Sequence, residues 1–486
     1  MQVDIRKLRL GSDSAEKDIQ IGLLDYFYQN PAYYSILNEK KTIIVGNRGV
    51  GKSAIFKYIA SEERKKGTVV LELSPEEYSY EVLSSILKKE SDGSWGKQSS
   101  YSISWQYLLF NLIFKAIVTK NKGFLTGSLK NIYNYVRDNL KVKDINPIGI
   151  LISYLKRLEG IKLGQYEAKI ARTKELQSLY GLEEIKNLLP DLIRVLEKTR
   201  VKVLIDELDK GWDNSEDSKY FVAGLFQAAQ KMNSISKNLR VYVSIRQELF
   251  DNIPQIYDDA QKIREDIEVI RWTEDELLEF ISLRILNSFP ETKDVSSSDR
   301  WNLVFSEVLN YRNTKSYNYI IDRTQLRPRE LLQFCKLCIE NHSAEGTIDY
   351  SSITSAEIDY SEQKIKDLAS EYRFQYPHLL DIFEIFRGKK YILDSHDIDY
   401  LLLSIVCEEV NVGNATWVTG IDYLDLKKIL WQIGFLKAWM QGGLKSVRRS
   451  GSAYLGYYEI SKINLENIKK FQVHSAFRTY LSLKEK

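Results

Sequence analysis

The order of apolar and polar positions divides the chain into stretches of different period. Residues 1–40 mix both kinds and read as a helical lead-in. Thr42–Val45 is a short apolar, β-branched run of strand type, followed by a glycine-rich turn and a helix expected over Lys52–Ala60. Thr68–Leu73 is a second such run, closed by Ser74-Pro75. Strand, crossover helix and strand at this spacing predict a parallel α/β sheet. From Glu76 to Thr199 the pattern changes to helical periodicities and polar breaks, and no strand stands out. Strands resume at Lys202–Ile205, Arg240–Ile245 and Ile267–Ile270, each short and apolar, as strands buried on both faces are.

The rest of the chain reads mostly as helix. Thr273–Asn341 is helical with a break near Pro290–Ser298, and Glu357–Tyr372 and Ile398–Glu409 follow. Near the end, Asp425–Leu430 is helical, Trp431–Trp439 is apolar and aromatic, and Gln441–Gly456 is rich in Gly, Ser and Arg. Tyr457–Ile460 then has strand character. Helix, strand, glycine-rich hairpin and strand is the outline of a winged helix. No repeat or low-complexity segment is present.

Composition narrows the class. With 486 residues, 44% hydrophobic and 28% charged, the chain is a globular protein of two to four domains of roughly 100–200 residues each. MQVDIRKLRL has no apolar run and is not a signal peptide. Leu108–Val118 is the most lipid-like stretch, but it is short and carries Asn111 and Lys115, so a buried helix is expected. Three cysteines make no disulfide framework, and Cys335 and Cys338, inside a helical pattern, read as ordinary half-buried thiols. A reduced, cytoplasmic protein with no membrane role is expected. Net charge is only +3, yet residues 431–486 hold ten Lys/Arg against three Asp/Glu. That end is the candidate for a weak, sequence-independent duplex DNA contact, with Lys445, Arg448 and Arg449 in or beside the wing.

The candidate chemistry lies on strand ends. Gly46, Asn47, Arg48, Gly49, Val50, Gly51, Lys52 and Ser53 match G-x-x-x-x-G-K-[ST], after a strand and at a helix start, with Ala54 next. In such a loop, backbone N–H groups and a helix N-terminus face phosphate oxygens. Lys52 reaches the β- and γ-phosphates, and the Ser53 hydroxyl takes a Mg²⁺ position. The loop therefore predicts ATP and Mg²⁺ as ligands. Val203-Leu-Ile-Asp206-Glu207 is an apolar strand ending in two acids. Asp206 is expected to hold Mg²⁺ through its water shell, and Glu207 to polarise the attacking water. Asp209 suits a helix cap. Arg246 at the end of the next strand is the expected γ-phosphate sensor, with Ser244 second. Arg327 and Arg329 flank Pro328 at a helix start, where one guanidinium can meet the phosphates; the sequence leaves both open. Arg264 and Arg271 lie in the right part of the chain for an arginine finger, but position alone identifies neither.

Together these segments resemble the AAA+/STAND-related branch of P-loop ATPases. More closely, they resemble a bacterial P-loop ATPase family of mobile and defence-associated gene neighbourhoods, through Gly11 to Asp18, GNRGVGKSA, LIDELDKGW to Trp212, and LRPRELL. The likeness runs over most of Leu10–Leu332. It implies an ATP- and Mg²⁺-dependent switch or motor with a helical lid, and antiphage defence as a setting. The expected fold is α/β: a parallel-sheet P-loop NTPase core with a long helical insertion, a helical lid and a C-terminal winged-helix-like domain. Its expected parts are 1–40 (lead-in), 41–75 and 200–272 (core), 76–199 (insertion), 273–348 (lid) and 349–486 (C-terminal). Two readings of function follow. One is an ATPase whose Glu207-activated water drives a conformational change. The other is a nucleotide-gated module with slow turnover that binds DNA or an effector protein. A homo-oligomer is a further candidate, although the insertion's length and the unidentified arginine finger leave ring assembly open.

Overall fold

The computed structural model of the chain describes residues 3–74, 97–121, 123, 126–140, 182–208, 215–253, 264–343, 345–441, 452–460 and 463–485. It divides into two compact units. The core unit is Gln29–Asn47 with Lys52–Ile270, and the helical unit is Met1–Tyr28, Arg48–Gly51 and Arg271–Lys486.

Five strands form the core unit's sheet: β1 (Ile43–Val45), β2 (Val69–Leu73), β3 (Val201–Ile205), β4 (Leu239–Ile245) and β5 (Ile267–Val269). All pair in parallel, in the order β2-β3-β4-β1-β5. Each of the five core strands expected from the sequence is there, shifted by a residue at an end. The reason is burial: β1 and β3 are buried at every position, and all of their residues but Lys202 are apolar. The helix after the glycine-rich turn, α1 (Lys52–Lys65), runs past its expected end at Ala60. Its polar tail hid the continuation, yet Glu63 there is buried and accepts the Thr68 hydroxyl at 2.8 Å.

Two long helices cover the sheet, α2 (Lys97–Lys120) and α3 (Glu216–Asn233). They come close at Gly224, where a Cβ would lie 2.7 Å from the Tyr101 Cβ. Leu108, Leu109, Ile113, Phe114 and Ile117 of α2 share one apolar core with β3 and β4. The lipid-like stretch is thus a buried helix, and the Asn111 amide donates to the Tyr107 carbonyl at 2.9 Å. No helix among the described residues is long and apolar enough to cross a membrane. The described parts of 76–199 are helical, with Gly127–Asn139, Leu182–Asn187 and Leu189–Leu196 besides α2.

The helical unit is built on α4 (Glu274–Ser288), α5 (Pro328–Glu340), α6 (Tyr350–Glu371), α7 (Ser395–Val406) and α8 (Tyr423–Gln432). Thr273 and Glu276 close α4 with a reciprocal capping box. Asp349 caps α6 by accepting the Ser352 N–H at 3.0 Å, which starts that helix seven residues before the expected Glu357. Phe334 stacks on Tyr360 between α5 and α6, centroids 4.3 Å apart. Cys335 and Cys338 are fully rather than half buried, and burial pushes both thiols up.

The lead-in is shorter in its helices than expected: Ile5–Lys7, Ala15–Ile21 and, in the core unit, Pro31–Leu37. Between the first two, Gly11 sits at φ +76°, where a Cβ would lie 2.3 Å from Asp18 Oδ1. Asp18 is buried and accepts from Ser12 N–H (2.6 Å), Tyr26 O–H (2.8 Å) and Arg284 of α4 (2.9 Å).

A second sheet ends the chain: β6 (Ile392–Asp394), β7 (Leu436–Gln441), β8 (Ser452–Leu455) and β9 (Lys470–Val473), antiparallel in the order β6-β9-β7-β8. The strand expected at Tyr457–Ile460 is a turn, and β8 precedes it. The Glu459 and Ile460 N–H groups both donate to Gly456 O, and the Glu459 carboxylate turns in to Lys437 at 3.5 Å. β6 and β9 escaped the sequence reading because each is only three or four residues long, with Asp394 in β6 and Lys470 and Gln472 in β9 breaking the apolar run. Lys445, Arg448 and Arg449 lie outside the described residues, as do Asp209 and Trp212.

Candidate functional site

The sheet brings two strand ends to one edge. Ile43, Val243 and Ile205 stand level across β1, β4 and β3, so Ile44, Ser244 and Asp206 form the next row. Neighbouring strands lie about 4.8 Å apart, which puts Asp206 about 10 Å along the row from β1. The turn after β1 begins two residues further on. Its Gly46 N–H donates to Ile245 O at 3.2 Å and its Gly46 O accepts the Gln247 N–H at 3.3 Å, tying it to the end of β4.

Within the core unit, Gly46 and Asn47 lead into the turn, and Lys52, Ser53 and Ala54 begin α1. The Lys52 ammonium folds back on Gly46 O (2.6 Å) and Asn47 O (3.0 Å). Arg48, Gly49, Val50 and Gly51 belong to the helical unit. Gly49 and Gly51 lie at φ +83° and +98°, left-handed values that a side chain rarely takes. There the Arg329 N–H donates to Gly49 O at 3.3 Å, and the Trp272 indole N–H donates to Val50 O at 2.9 Å.

Asp206 follows β3 directly. Its N–H donates to Leu73 O at 2.9 Å. One of its carboxylate oxygens, Oδ1, accepts the Ser244 hydroxyl in a short hydrogen bond and the Glu207 N–H at 2.9 Å. Glu207 sits at φ +59°, a left-handed conformation for a residue with a side chain. Both acids are half-buried. The oxygen donors here, the Ser53 hydroxyl and the Asp206 carboxylate, are the hard ligands that suit Mg²⁺.

The three arginines have different surroundings. Arg246 occupies the N-cap position of the short helix Gln247–Asp251, with no capping hydrogen bond from its side chain, and pairs with buried Glu248 at 3.6 Å. Arg327 is 4% exposed, held by Glu371 at 3.0 Å and Glu330 at 3.5 Å, while Lys364 bonds Glu330 at 2.8 Å. Burial by itself lowers the Arg327 pKa, but Glu371 and Glu330 more than reverse that and hold it above the ordinary value. Arg329 instead lies against the loop tip, its Cβ 3.0 Å from where a Gly49 side chain would begin, and its Nε donates to Asp13 O at 2.9 Å. Among the described residues, neither the Arg264 nor the Arg271 side chain reaches either strand end with a hydrogen bond or an ion pair. Trp272 and Arg284 were missed in the sequence. The spacing Thr273-x-x-Glu276 is a signal for a helix start beside Trp272, but nothing in the sequence shows which way its ring turns.

Residues 275–369 match a family model described as the FunZ-associated C-terminal helical domain. Over 387 residues the chain is 24% identical to the "Putative transposon gamma-delta 80.3 kDa protein" of Escherichia coli strain K12. That alignment takes in 78% of this chain and 53% of the other, so the chain spans about half the length of the curated relative it matches. Two solved structures of the Aeropyrum pernix ORC2 protein, one of ADPNP–ADP complexes and one of an ADP form, align over 95% of this chain and over 91% and 95% of their own. Identity is 11% in both and the TM-scores are 0.36 and 0.31, a superposition too loose to carry any property across.

Proposed function

We propose that this chain binds ATP with Mg²⁺ and hydrolyses it, working as a conformational switch or motor. The observation that carries the reading is the G-x-x-x-x-G-K-S turn. It falls between β1 and α1 in the chain, with left-handed glycines, and Asp206 and Glu207 follow β3, two strands along the same sheet from β1. In this reading the loop N–H groups and Lys52 bind the phosphates. Mg²⁺, held by Ser53 and through water by Asp206, offsets the charge of the β- and γ-phosphates. Glu207 accepts a proton from the attacking water. Ser244 keeps the Asp206 carboxylate in place, and Arg246 meets the γ-phosphate. Of the other two arginines, the surroundings favour Arg329 for a phosphate contact, because Arg327 is occupied by Glu371 and Glu330.

The test is calorimetric titration of ATP into the parent and Lys52→Ala proteins, beside a phosphate-release assay. Loss of the ammonium weakens binding by about tenfold to a hundredfold, the worth of a charge-assisted hydrogen bond. Equal affinity in the two proteins would remove the loop from the site.

The second reading is a nucleotide-gated module with slow turnover that binds DNA or an effector protein. The C-terminal arrangement favours it: a helix, the β7–β8 hairpin and a further strand, in a segment with a surplus of seven positive charges, suit a winged helix. Turnover that rises with duplex DNA joins the two readings, and slow turnover indifferent to DNA favours the gate. For the biological setting we propose antiphage defence, supported by the family resemblance alone; a plaque assay comparing the parent with Lys52→Ala tests it.

A further inference from the structure

We propose that Trp272 is a positioning residue of the phosphate-binding loop, whose indole N–H turns the Gly51 N–H toward bound phosphate. The inference rests on the nucleotide-binding reading above and adds a residue from outside the loop motif. A trans peptide is planar, so the carbonyl of one residue and the N–H of the next point in opposite directions. Trp272 Nε1 donates to the Val50 carbonyl at 2.9 Å. The Gly51 N–H in the same plane therefore faces away from the indole. The preceding plane is held in the same manner: the Arg329 N–H donates to the Gly49 carbonyl at 3.3 Å, so the Val50 N–H faces away from α5.

Two successive N–H groups are thus aimed from behind. Gly49 and Gly51, at φ +83° and +98°, flank Val50, and such an alternation gathers N–H groups into an anion-binding concavity. Glycine is also the residue least able to hold a plane by itself, because both hands of φ are open to it. A fixed carbonyl partner supplies the missing constraint.

The indole is itself well held. It is 8% exposed, and the Tyr28 and Phe280 rings stand 5.6 and 5.8 Å from it. The next residue, Thr273, is locked in the capping box of α4. A ring needed only for bulk could as well be phenylalanine; the N–H is what phenylalanine lacks.

The test is Trp272→Phe in the full chain, read by calorimetric titration of ADP and by amide hydrogen exchange of residues 46–53. ADP is expected to bind about fivefold more weakly, the effect of one neutral hydrogen bond. The loop amides are expected to lose part of the protection that ADP gives them, with β3 and β4 protected as in the parent. Unchanged affinity and loop protection in the variant overturn the inference while leaving the nucleotide reading intact. Weaker binding accompanied by lost protection of β3 and β4 in the ADP-free variant also overturns it, since the ring then acts only on stability. A parent protein that binds neither ADP nor ATP overturns the nucleotide reading, and this inference with it.

Discussion

At the scale of single residues, the place of Asp206 and Glu207 at the end of a core strand was legible, because an apolar run closed by two acids marks where a buried strand reaches the rim of its sheet. Their backbone was not. Glu207 at φ +59° adopts a conformation that costs a residue with a Cβ about 1–2 kcal/mol. Its N–H, with the Ser244 hydroxyl, holds Asp206 Oδ1. Two substitutions separate the chemistry from the strain. Glu207→Gln keeps shape and loses the base, so ATP turnover should fall by about 10²–10⁴-fold while ATP affinity holds. Glu207→Gly should lose turnover likewise and gain up to about 1 kcal/mol of stability, because glycine takes the left-handed region without the steric cost. Phosphate release and urea midpoints measure both. Near-parent turnover in the glutamine variant would release Glu207 from the role of base. Arg327 shows the opposite limit of legibility. Its place beside Pro328 suggested a phosphate contact, and no local signal could reveal that Glu371, on another helix, closes over it.

At the scale of elements, the core strands were readable because parallel strands buried on both faces leave unbroken apolar runs. The short antiparallel strands β6 and β9 were not, since alternate residues face out and three or four positions are too few to show a period. The lead-in marks Gly11 and Asp18 were visible in the sequence, but their partner on α4 was not. Arg284 is buried against Asp18, its second amino group donates to Leu10 O at 2.6 Å, and Tyr26 and Phe280 lie within 4.7 Å of its guanidinium. This cluster fastens the first described turns of the helical unit to α4. Asp18→Asn leaves the guanidinium buried without a counter-charge and should cost about 3–5 kcal/mol in denaturant unfolding. Changing Asp18 and Arg284 together to uncharged residues should cost less than the two single changes summed. Additive losses would mean that the pair contributes packing and not charge.

At the scale of the molecule, charge is the property that the sequence shows most directly and the described residues least. The surplus near the end includes Lys445, Arg448 and Arg449, which lie between β7 and β8 outside the described residues. If they meet a phosphate backbone, each contact releases about 0.9 counterion. Changing all three to alanine should then weaken duplex binding and make its logarithmic salt slope shallower by about 2.7. Fluorescence anisotropy at several salt concentrations measures that slope, and an identical slope in the variant excludes these residues from the contact.

The strand order has a consequence for how the protein is made. β1 neighbours β4 and β5, and β2 neighbours only β3. The two strands that leave the ribosome first are therefore never partners, and among the described strands the earliest pair must wait for Val201–Ile205. β1 waits longer, until Leu239–Ile245 has emerged. At bacterial synthesis rates that interval is on the order of tens of seconds. Throughout it Ile43–Val45 has no sheet to enter, although the glycine-rich turn is already attached to it. A nascent chain stopped short of Leu239 should thus be a client for a chaperone, and the glycine-rich loop should acquire its shape late in synthesis, when β4 slides in between β1 and β3.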